Sequence, residues 1–373
     1  MKKKLIFLFV LISILSACKK ESLSQYQMTS FDAGFDTIFT LNGFAYSQEE
    51  FTSYFQLMEK ESFRYHMLFD KYNEYDGINN IYTINQNAGK QAVKVDSEII
   101  ELLLLAKEWH EKTDGVFDVT LGSVLTIWHE YRTEGVALNK LGEYGKIPSK
   151  EQLEEASLYT GWDYIEINEI EQTVYITHEA VSLDVGAIAK GYAVEKLAII
   201  LEEAGLKYAV LNGGGNIRTI NHKADHSPWK VGIKEPDTMV NESIDAFSLT
   251  ISTSVVTSGD YDRYYIGEGD VHLHHIIDPR TLMPSENSRS VSIVYPNSGI
   301  SDILSTVLTV LDFDDGVAFV NQYNSENPQQ QIGVLWIFTE PQKQYEGYHE
   351  IHRNGFVLYI TENIVDISAI FGD

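Results

Sequence analysis

The stretch 182–196 places charged side chains among small residues: Asp184, Gly186, Ala187 and Lys190 follow one another closely. β-Branched residues at 174–177 and 181–185 predict strands, and the apolar spacing after Lys190 predicts a helix. A strand that enters a helix through small residues offers free backbone N–H groups and the positive helix end, which suits an anionic ligand. An ordinary strand–helix junction with a solvated lysine predicts the same pattern, so this stretch alone leaves both interpretations open.

Three histidines occupy four positions, His272, His274 and His275, at the end of a segment with strand character. In an extended strand the first two point to one side and His275 to the other, so at most two could bind one metal ion. We therefore favour His275 as a general base or a phosphate contact. A buried structural histidine is the alternative.

Asp302 and Thr306 are four residues apart, which places both on one face of an expected helix. A carboxylate and a hydroxyl are hard oxygen ligands of the kind that Mg²⁺ prefers. Taken alone, Asp302 is better explained as a helix cap. The glycine-rich run 212–216 could likewise form a nest of N–H groups, although a tight turn explains it more simply.

Composition limits the possible partners. The 373 residues carry 54 acidic and 28 basic side chains, a net charge of −26, which argues against nucleic acid as a partner. Cys18 is the only cysteine, so the chain can form no internal disulfide and has no thiolate metal site. Binding of a phosphate ligand would need local positive charge, and a divalent cation is a plausible source.

The first residues have the pattern of an export signal. Lys2, Lys3 and Lys4 precede an apolar run that ends in small residues at Cys18. The pattern is similar to a bacterial lipoprotein signal, so we expect residues 1–17 to be a signal peptide and Cys18 to carry lipid. Residues 18–30 are interpreted as the lipidated cysteine and a tether. The protein is then extracytoplasmic and held to the membrane by its lipid.

Beyond the tether, strand and helix patterns mix without strict alternation. This favours one α+β body of layered sheet and helices over residues 31–373. The polar, glycine-containing region 132–146 is interpreted as an exposed excursion.

Several motifs together resemble the ApbE family, the FAD:protein FMN transferases. They occur in the family's order at 115–120 with Trp128, at 183–192, 212–216, 257–259 and 274–281, and at Asp302 with Ser305 and Thr306. The resemblance implies a single ApbE-like body related to the T-fold, built from a mixed or antiparallel sheet and helices. It also implies FAD as substrate, Mg²⁺ as metal, and transfer of FMN to a threonine or serine hydroxyl of an acceptor flavoprotein with release of AMP.

The resemblance also assigns roles to residues. The metal ligands would be Asp302, Thr306 and the carbonyl of Ala187. His275 is our candidate for the catalytic base, with Asp118 or the surroundings of the metal as alternatives. The contacts to the flavin nucleotide would be Phe35, Val116, Phe117, Asp118, Asp184, Lys190, His275 and Ile276.

The chain departs from the family pattern at a few positions. Phe35-Asp36-Thr37 stands where the family has Met-Gly-Thr, Leu282 stands where a glycine is expected, and Asn216 replaces the aspartate of a Gly-Gly-Asp motif. Two other functions therefore stay open beside transfer. One is hydrolysis of FAD to FMN and AMP, and the other is binding of FAD without catalysis.

Overall fold

The computed structural model describes residues 22–236 and 242–372. The expected signal peptide and Cys18 lie outside the described residues. Within them, no helix is both long and apolar enough to cross a membrane. The helices are α1 (Gln48–Phe69), α2 (Ile81–Gln86), α3 (Ser97–Lys112), α4 (Gly122–Asn139), α5 (Lys150–Ser157), α6 (Ala189–Glu203), α7 (Ser298–Val310) and α8 (Phe313–Glu326).

The strands of the first half are β1 (Ser24–Ser30), β2 (Phe39–Ala45), β3 (Val93–Lys94), β4 (Ile165–Asn168), β5 (Thr173–Ile176), β6 (Ala209–Gly213), β7 (Asn216–Ile220) and β8 (Trp229–Lys234). Those of the second half are β9 (Ser243–Leu249), β10 (Ser254–Gly259), β11 (Tyr264–Gly267), β12 (Val271–His274), β13 (Ser290–Tyr295), β14 (Gly333–Phe338), β15 (Tyr348–Arg353) and β16 (Phe356–Thr361).

One nine-stranded sheet organises the body, with the order β1-β2-β6-β7-β10-β13-β14-β16-β15. Every pairing in it is antiparallel. Strands β13, β14 and β16 are buried at every position, because both faces of this part of the sheet are covered. The α+β prediction is therefore confirmed.

The two faces of the sheet carry different layers. The main core packs α6 and α7 on one face, and their apolar residues recur at helical spacing because each helix buries one stripe. On the other face, the hairpin β8–β9 alternates buried and exposed residues, as a strand with one covered side must. The short sheet β11–β12 packs with α4 in a separate cluster.

Three predictions about local structure are wrong. Residues 24–30, assigned to the tether, form β1 and pair with β2, so they belong to the folded body. Residues 181–185 are extended but bond to neighbouring loops, and they belong to no strand. The region 132–146 is no excursion, because α4 continues to Asn139 and Gly145 pairs with Gly267.

Candidate functional site

The centre of the site is a contact between α6 and α7. The backbone N–H of Gly191 donates to Asp302 Oδ2 over 2.9 Å, and Asp302 is only 5% exposed. In an uninterrupted helix this N–H would bond to the carbonyl of Ala187, four residues earlier. That carbonyl accepts no hydrogen bond within the described part of the chain. The Gly191 N–H is therefore committed to the buried Asp302 carboxylate, and the Ala187 carbonyl is left without its helical partner.

Asp302 is not a helix cap, so the interpretation favoured for this residue alone is wrong. The Asn297 side chain caps α7 instead, accepting from the N–H of Ile300 over 3.0 Å. Asp302 lies in the second turn of α7 and faces α6, which frees its carboxylate for a role at the site. Thr306 follows one turn later and is partly exposed.

Two pairs of hydroxyls, one buried and one partly buried, hold α7 against the sheet. Ser301 and Ser305 of α7 each lie 2.7 Å, oxygen to oxygen, from Ser254 and Ser258 of β10. The two pairs are one helical turn apart on α7 and four residues apart on β10, so they fix both the depth and the rotation of the helix. Asp302 and Thr306, the residues next to these serines, take their places from this register.

The glycine-rich run 212–216 is a tight turn between β6 and β7, as the simpler interpretation predicted. Gly214 and Gly215 have φ of +60° and +92°, values that glycine adopts without steric cost. The turn delivers Asn216 to the site, where its Oδ1 accepts from Lys190 Nζ over 3.0 Å. Lys190 therefore points towards the end of this hairpin.

Phe35 lies on the loop beside this hairpin. A Cβ placed on Gly214 would meet Thr37, two residues after Phe35, and the N–H of Gly214 bonds to the carbonyl of Ile38. The N–H of Phe35 donates to His66 Nδ1, and the Phe35 ring packs edge-on against the His66 imidazole. Phe35 thus belongs to one end of the same region.

Asp184 forms a largely buried ion pair that sequence analysis missed. Its Oδ2 lies 2.7 Å from Lys71 Nζ, and the two side chains are 16% and 11% exposed. Burial opposes the charge on Lys71, but the Asp184 carboxylate outweighs that effect and raises the pKa of Lys71. The other oxygen of Asp184 accepts from the N–H of Gly186. No spacing rule links residues 113 positions apart, so the pairing could be found only from the fold.

The segment 116–118 lies beside Asp184, because the N–H of Asp184 donates to the carbonyl of Val119. Val116 and Phe117 are buried. Asp118 Oδ1 accepts from both the N–H and the hydroxyl of Thr120, at 2.8 and 2.7 Å. Burial raises the pKa of Asp118. This carboxylate is thus occupied within its own turn, which weakens the alternative that it serves as the base.

His275 is partly exposed, yet its Nδ1 is buried and has no hydrogen-bond partner among the described residues. Burial lowers the pKa of His275 well below its ordinary value, and the charges of Arg263, Arg132 and Lys190 act in the same direction. The imidazole is therefore neutral at pH 7. Lys190 is therefore close enough to His275 for its charge to lower the pKa of the imidazole.

The residues on either side of His275 have other roles. His274 is a structural histidine: its Nδ1 accepts from the N–H of Ile276 and its Nε2 bonds to the carbonyl of Ser285. Ile276 is buried, and its carbonyl accepts from the N–H of Ser285. Both contacts fix the backbone that carries His275.

A groove of about 610 Å³ on α4 adds a further set of basic residues that sequence analysis did not find. His129, Arg132 and Lys140 line it, and Arg132 lies 3.2 Å from His129 Nδ1. The ring centroids of Tyr72 and His129 are 5.0 Å apart. The Lys71 ammonium lies over the Tyr72 ring. The charges of Arg132, Arg263 and Lys190 act on His275, and Lys71 pairs with Asp184, so cations lie near several candidate site residues of this acidic chain.

Three of the residues that depart from the family pattern share a backbone conformation, while Asn216 lies in β7. Phe35, Asp36 and Leu282 have φ of +58°, +49° and +63°, the left-handed region that favours glycine. The chain keeps the backbone shape that a glycine would allow and places side chains on it. The Leu282 carbonyl also accepts from Trp128 Nε1, which ties the loop after His275 to α4.

Taken together, the structure gathers Ala187, Lys190, Asp302 and Asn216 around Gly191, with Thr306 one turn away. Asp184 lies against the segment that holds Asp118. His275 is close enough to Lys190 for the lysine charge to lower the pKa of the imidazole. Among the described residues, no group of three or more His, Cys, Asp or Glu side chains is placed to hold a metal ion. Any cation here would depend on a carboxylate, a hydroxyl and a carbonyl.

Comparison with known proteins gives a consistent result. The ApbE family model matches residues 35–328. An FAD:protein FMN transferase from Klebsiella pneumoniae is 30% identical over 245 residues, which are 65% of this chain and 71% of that protein. One from Treponema pallidum is 30% identical over 271 residues, covering 69% of this chain and 70% of that protein.

Solved structures show the same fold. The ApbE protein from Thermotoga maritima has a TM-score of 0.69 at 28% identity, covering 84% of this chain and 94% of that one. The apo form of the flavinyl transferase ApbE from Pseudomonas stutzeri has a TM-score of 0.70 at 21% identity, covering 94% and 98%. The family model spans well over half of the sequence, and so the chain belongs to the ApbE family.

Proposed function

We propose that this protein transfers the FMN half of FAD to a threonine or serine hydroxyl of an acceptor flavoprotein and releases AMP. The observation that carries the proposal is the contact of Gly191, the neighbour of Lys190 in sequence, with the buried Asp302 carboxylate, which leaves the Ala187 carbonyl without its helical partner. Such a site can hold a cation and a phosphate together. The family relatives named FAD:protein FMN transferase support this activity over other uses of the fold.

The residues present fit Mg²⁺. Asp302, Thr306 and the carbonyl of Ala187 would hold it, and all three are hard oxygen donors. The diversion of the Gly191 N–H to Asp302 supports the fit, because it leaves the Ala187 carbonyl without its helical partner. When bound, the ion would supply positive charge to the phosphate oxygens of the substrate.

The reaction exchanges one phosphorus–oxygen bond for another. The acceptor hydroxyl oxygen bonds to the phosphorus of the FMN half, and the bond from that phosphorus to the bridging oxygen breaks. The electron pair leaves with AMP, and the hydroxyl proton passes to a base. Lys190 would face the anion in this exchange, because its ammonium donates to Asn216, whose amide nitrogen lies near Asp302.

His275 is the proposed base. Its neutral imidazole has a lone pair available at pH 7, and its buried Nδ1 leaves Nε2 as the nitrogen that can face a substrate. The pyrophosphate of a bound substrate would offset the cations around His275 and raise its basicity. A base in this role typically contributes about 10²–10⁴ in rate.

The remaining residues of the site would position the flavin nucleotide. We assign this role to Phe35, Val116, Phe117, Asp118, Asp184, Lys190 and Ile276. Asp184 is held for it by Lys71. Asp118 contributes through its turn and the buried Phe117, because its own Oδ1 is already bonded twice.

The place of action follows from the N-terminal sequence. We propose that residues 1–17 are removed, that Cys18 is lipidated, and that the protein works outside the cytoplasm on an acceptor flavoprotein of an extracytoplasmic redox system. The support is the run of lysines, the apolar segment and the small residues before Cys18. Palmitate labelling of the wild-type chain, lost in Cys18→Ala, would test it.

The activity is tested by incubating the chain with FAD, Mg²⁺ and an acceptor domain that carries the threonine, then measuring the intact mass of the acceptor. We expect a gain of one FMN phosphoester in the wild type and none with Asp302→Ala or with an acceptor whose threonine is replaced by alanine. An unmodified acceptor with FMN and AMP in solution would indicate hydrolysis. An unmodified acceptor with intact FAD would indicate a binding protein.

A further inference from the structure

Lys190 is held by a neutral amide and not by a carboxylate. Its ammonium donates to the side-chain amide of Asn216, and it forms no ion pair within the described residues. Several buried or half-buried cations are paired with carboxylates, as in Lys71–Asp184, Arg218–Glu195 and Arg289–Asp260, whereas Arg132 contacts the His129 imidazole. Among the described residues, no carboxylate therefore pairs with Lys190, although the net charge of the chain is −26.

The orientation of the Asn216 amide is fixed by Lys190. An ammonium can only donate, so the amide oxygen must face Lys190 and the amide nitrogen must face away. Asn216 is 2% exposed, and its Nδ2 is buried without a hydrogen-bond partner in the described structure. This nitrogen lies 3.1 Å from the point where a Cβ on Gly191 would stand, and Asp302 Cβ lies 2.5 Å from the same point. The amide oxygen of Asn216 thus accepts from Lys190, and the amide nitrogen lies near Asp302.

We propose that Asn216 is a positioning residue for substrate and cation binding. It aims Lys190 at the substrate phosphate without neutralising its charge, and it keeps the neighbourhood of Asp302 free of a second negative charge. The inference rests on the proposed function, because it presumes a phosphate beside Lys190 and a cation at Asp302. We further infer that the affinity for the cation is low without the nucleotide and high when the nucleotide is bound.

A carboxylate at position 216 would weaken the binding of phosphate at Lys190 and strengthen the binding of a cation at Asp302. It has the shape of the amide, so Lys190 would keep its contact but would become one half of an ion pair and attract phosphate less strongly. The carboxylate would also add a negative charge beside Asp302, and cation affinity rises with the charge of the ligand set. A merely structural defect would weaken both kinds of binding.

The test compares Asn216→Asp with the wild-type chain, using ADP without metal and Mn²⁺ without nucleotide as separate probes. We expect ADP binding, measured by calorimetry, to weaken about tenfold, the scale of one charge-assisted hydrogen bond. We expect Mn²⁺ binding, measured by electron paramagnetic resonance, to strengthen by about fivefold or more. Asn212→Asp is the matched control: it adds the same charge to the same hairpin, where the side chain only accepts from the N–H of Gly215.

A second variant covers the case in which Asn216→Asp does not fold. Asn216→Ala releases Lys190 and adds no charge, so ADP binding should weaken several-fold while Mn²⁺ binding stays unchanged. Equal loss of both ligands in either variant, or no change in ADP binding, would overturn the role of Asn216. Failure of the wild type to bind ADP would instead remove the proposed function on which the inference rests.

Discussion

Replacing Gly191 by alanine tests the contact on which the site is built. A Cβ there would stand 2.4 Å from the backbone carbonyl oxygen of Ser298 and 2.5 Å from Asp302 Cβ, distances that real atoms do not adopt. Both atoms belong to α7, and the nearer one is backbone, so no side-chain rotation can relieve the overlap. The helices α6 and α7 must separate, and the bond from Gly191 to Asp302 must lengthen or break.

The expected cost follows from two effects. Overpacking in a close-packed core costs about 1–3 kcal/mol. Loss of a hydrogen bond to a buried carboxylate costs about 1.5–3 kcal/mol. We therefore expect Gly191→Ala to lower the free energy of unfolding by about 3–5 kcal/mol, measured by urea titration. The affinity for Mn²⁺ should fall at least tenfold, because Asp302 loses the partner that orients it.

Gly316→Ala provides a matched control with the opposite expected sign. Gly316 also lies within a helix, α8, and is buried, but a Cβ there would meet nothing closer than 3.6 Å. Alanine in a helix is favoured over glycine by about 0.5–1 kcal/mol, so this variant should be slightly more stable than the wild type. If Gly191→Ala were as stable as Gly316→Ala and bound Mn²⁺ normally, the packing account of the site would be refuted.

Two further perturbations address the ion pair and the candidate base. Lys71→Met should lower the free energy of unfolding by about 3 kcal/mol, since Asp184 would keep a mostly buried charge without its partner. The double variant with Asp184→Asn should recover most of that loss, and a double variant as unstable as Lys71→Met would contradict it. His275→Gln should reduce the loss of stability between pH 7 and 5, measured by denaturation at each pH. The folded pKa of His275 lies well below the unfolded value of about 6.5, so stability is full above that value and is lost as the pH falls. An unchanged slope would mean that His275 titrates alike in both states.

Local chemistry was predictable wherever the signal lies within one element. The spacing of Asp302 and Thr306 placed both on one helix face, and the run of glycines at 213–215 predicted a tight turn. These predictions depend only on the periodicity of a helix and on the conformational freedom of glycine. The order of the motifs along the chain then indicated the family.

Contacts between distant elements were not predictable in the same way. The partner of Asp302 is an N–H 111 residues earlier in the sequence, and the partner of Asp184 is Lys71. Both pairings arise from the packing of α6 against its neighbours, which no local pattern encodes. Residues 24–30 were mistaken for a tether because they are polar, yet an edge strand with one open side tolerates that composition.

The central claim is that one site both cleaves FAD and delivers FMN to a protein. It is tested most directly by measuring AMP released and FMN bound to the acceptor in the same reaction. We predict equal amounts of the two, with neither formed when Asp302 is replaced by alanine. Release of AMP without FMN on the acceptor, at saturating acceptor, would contradict the transferase account.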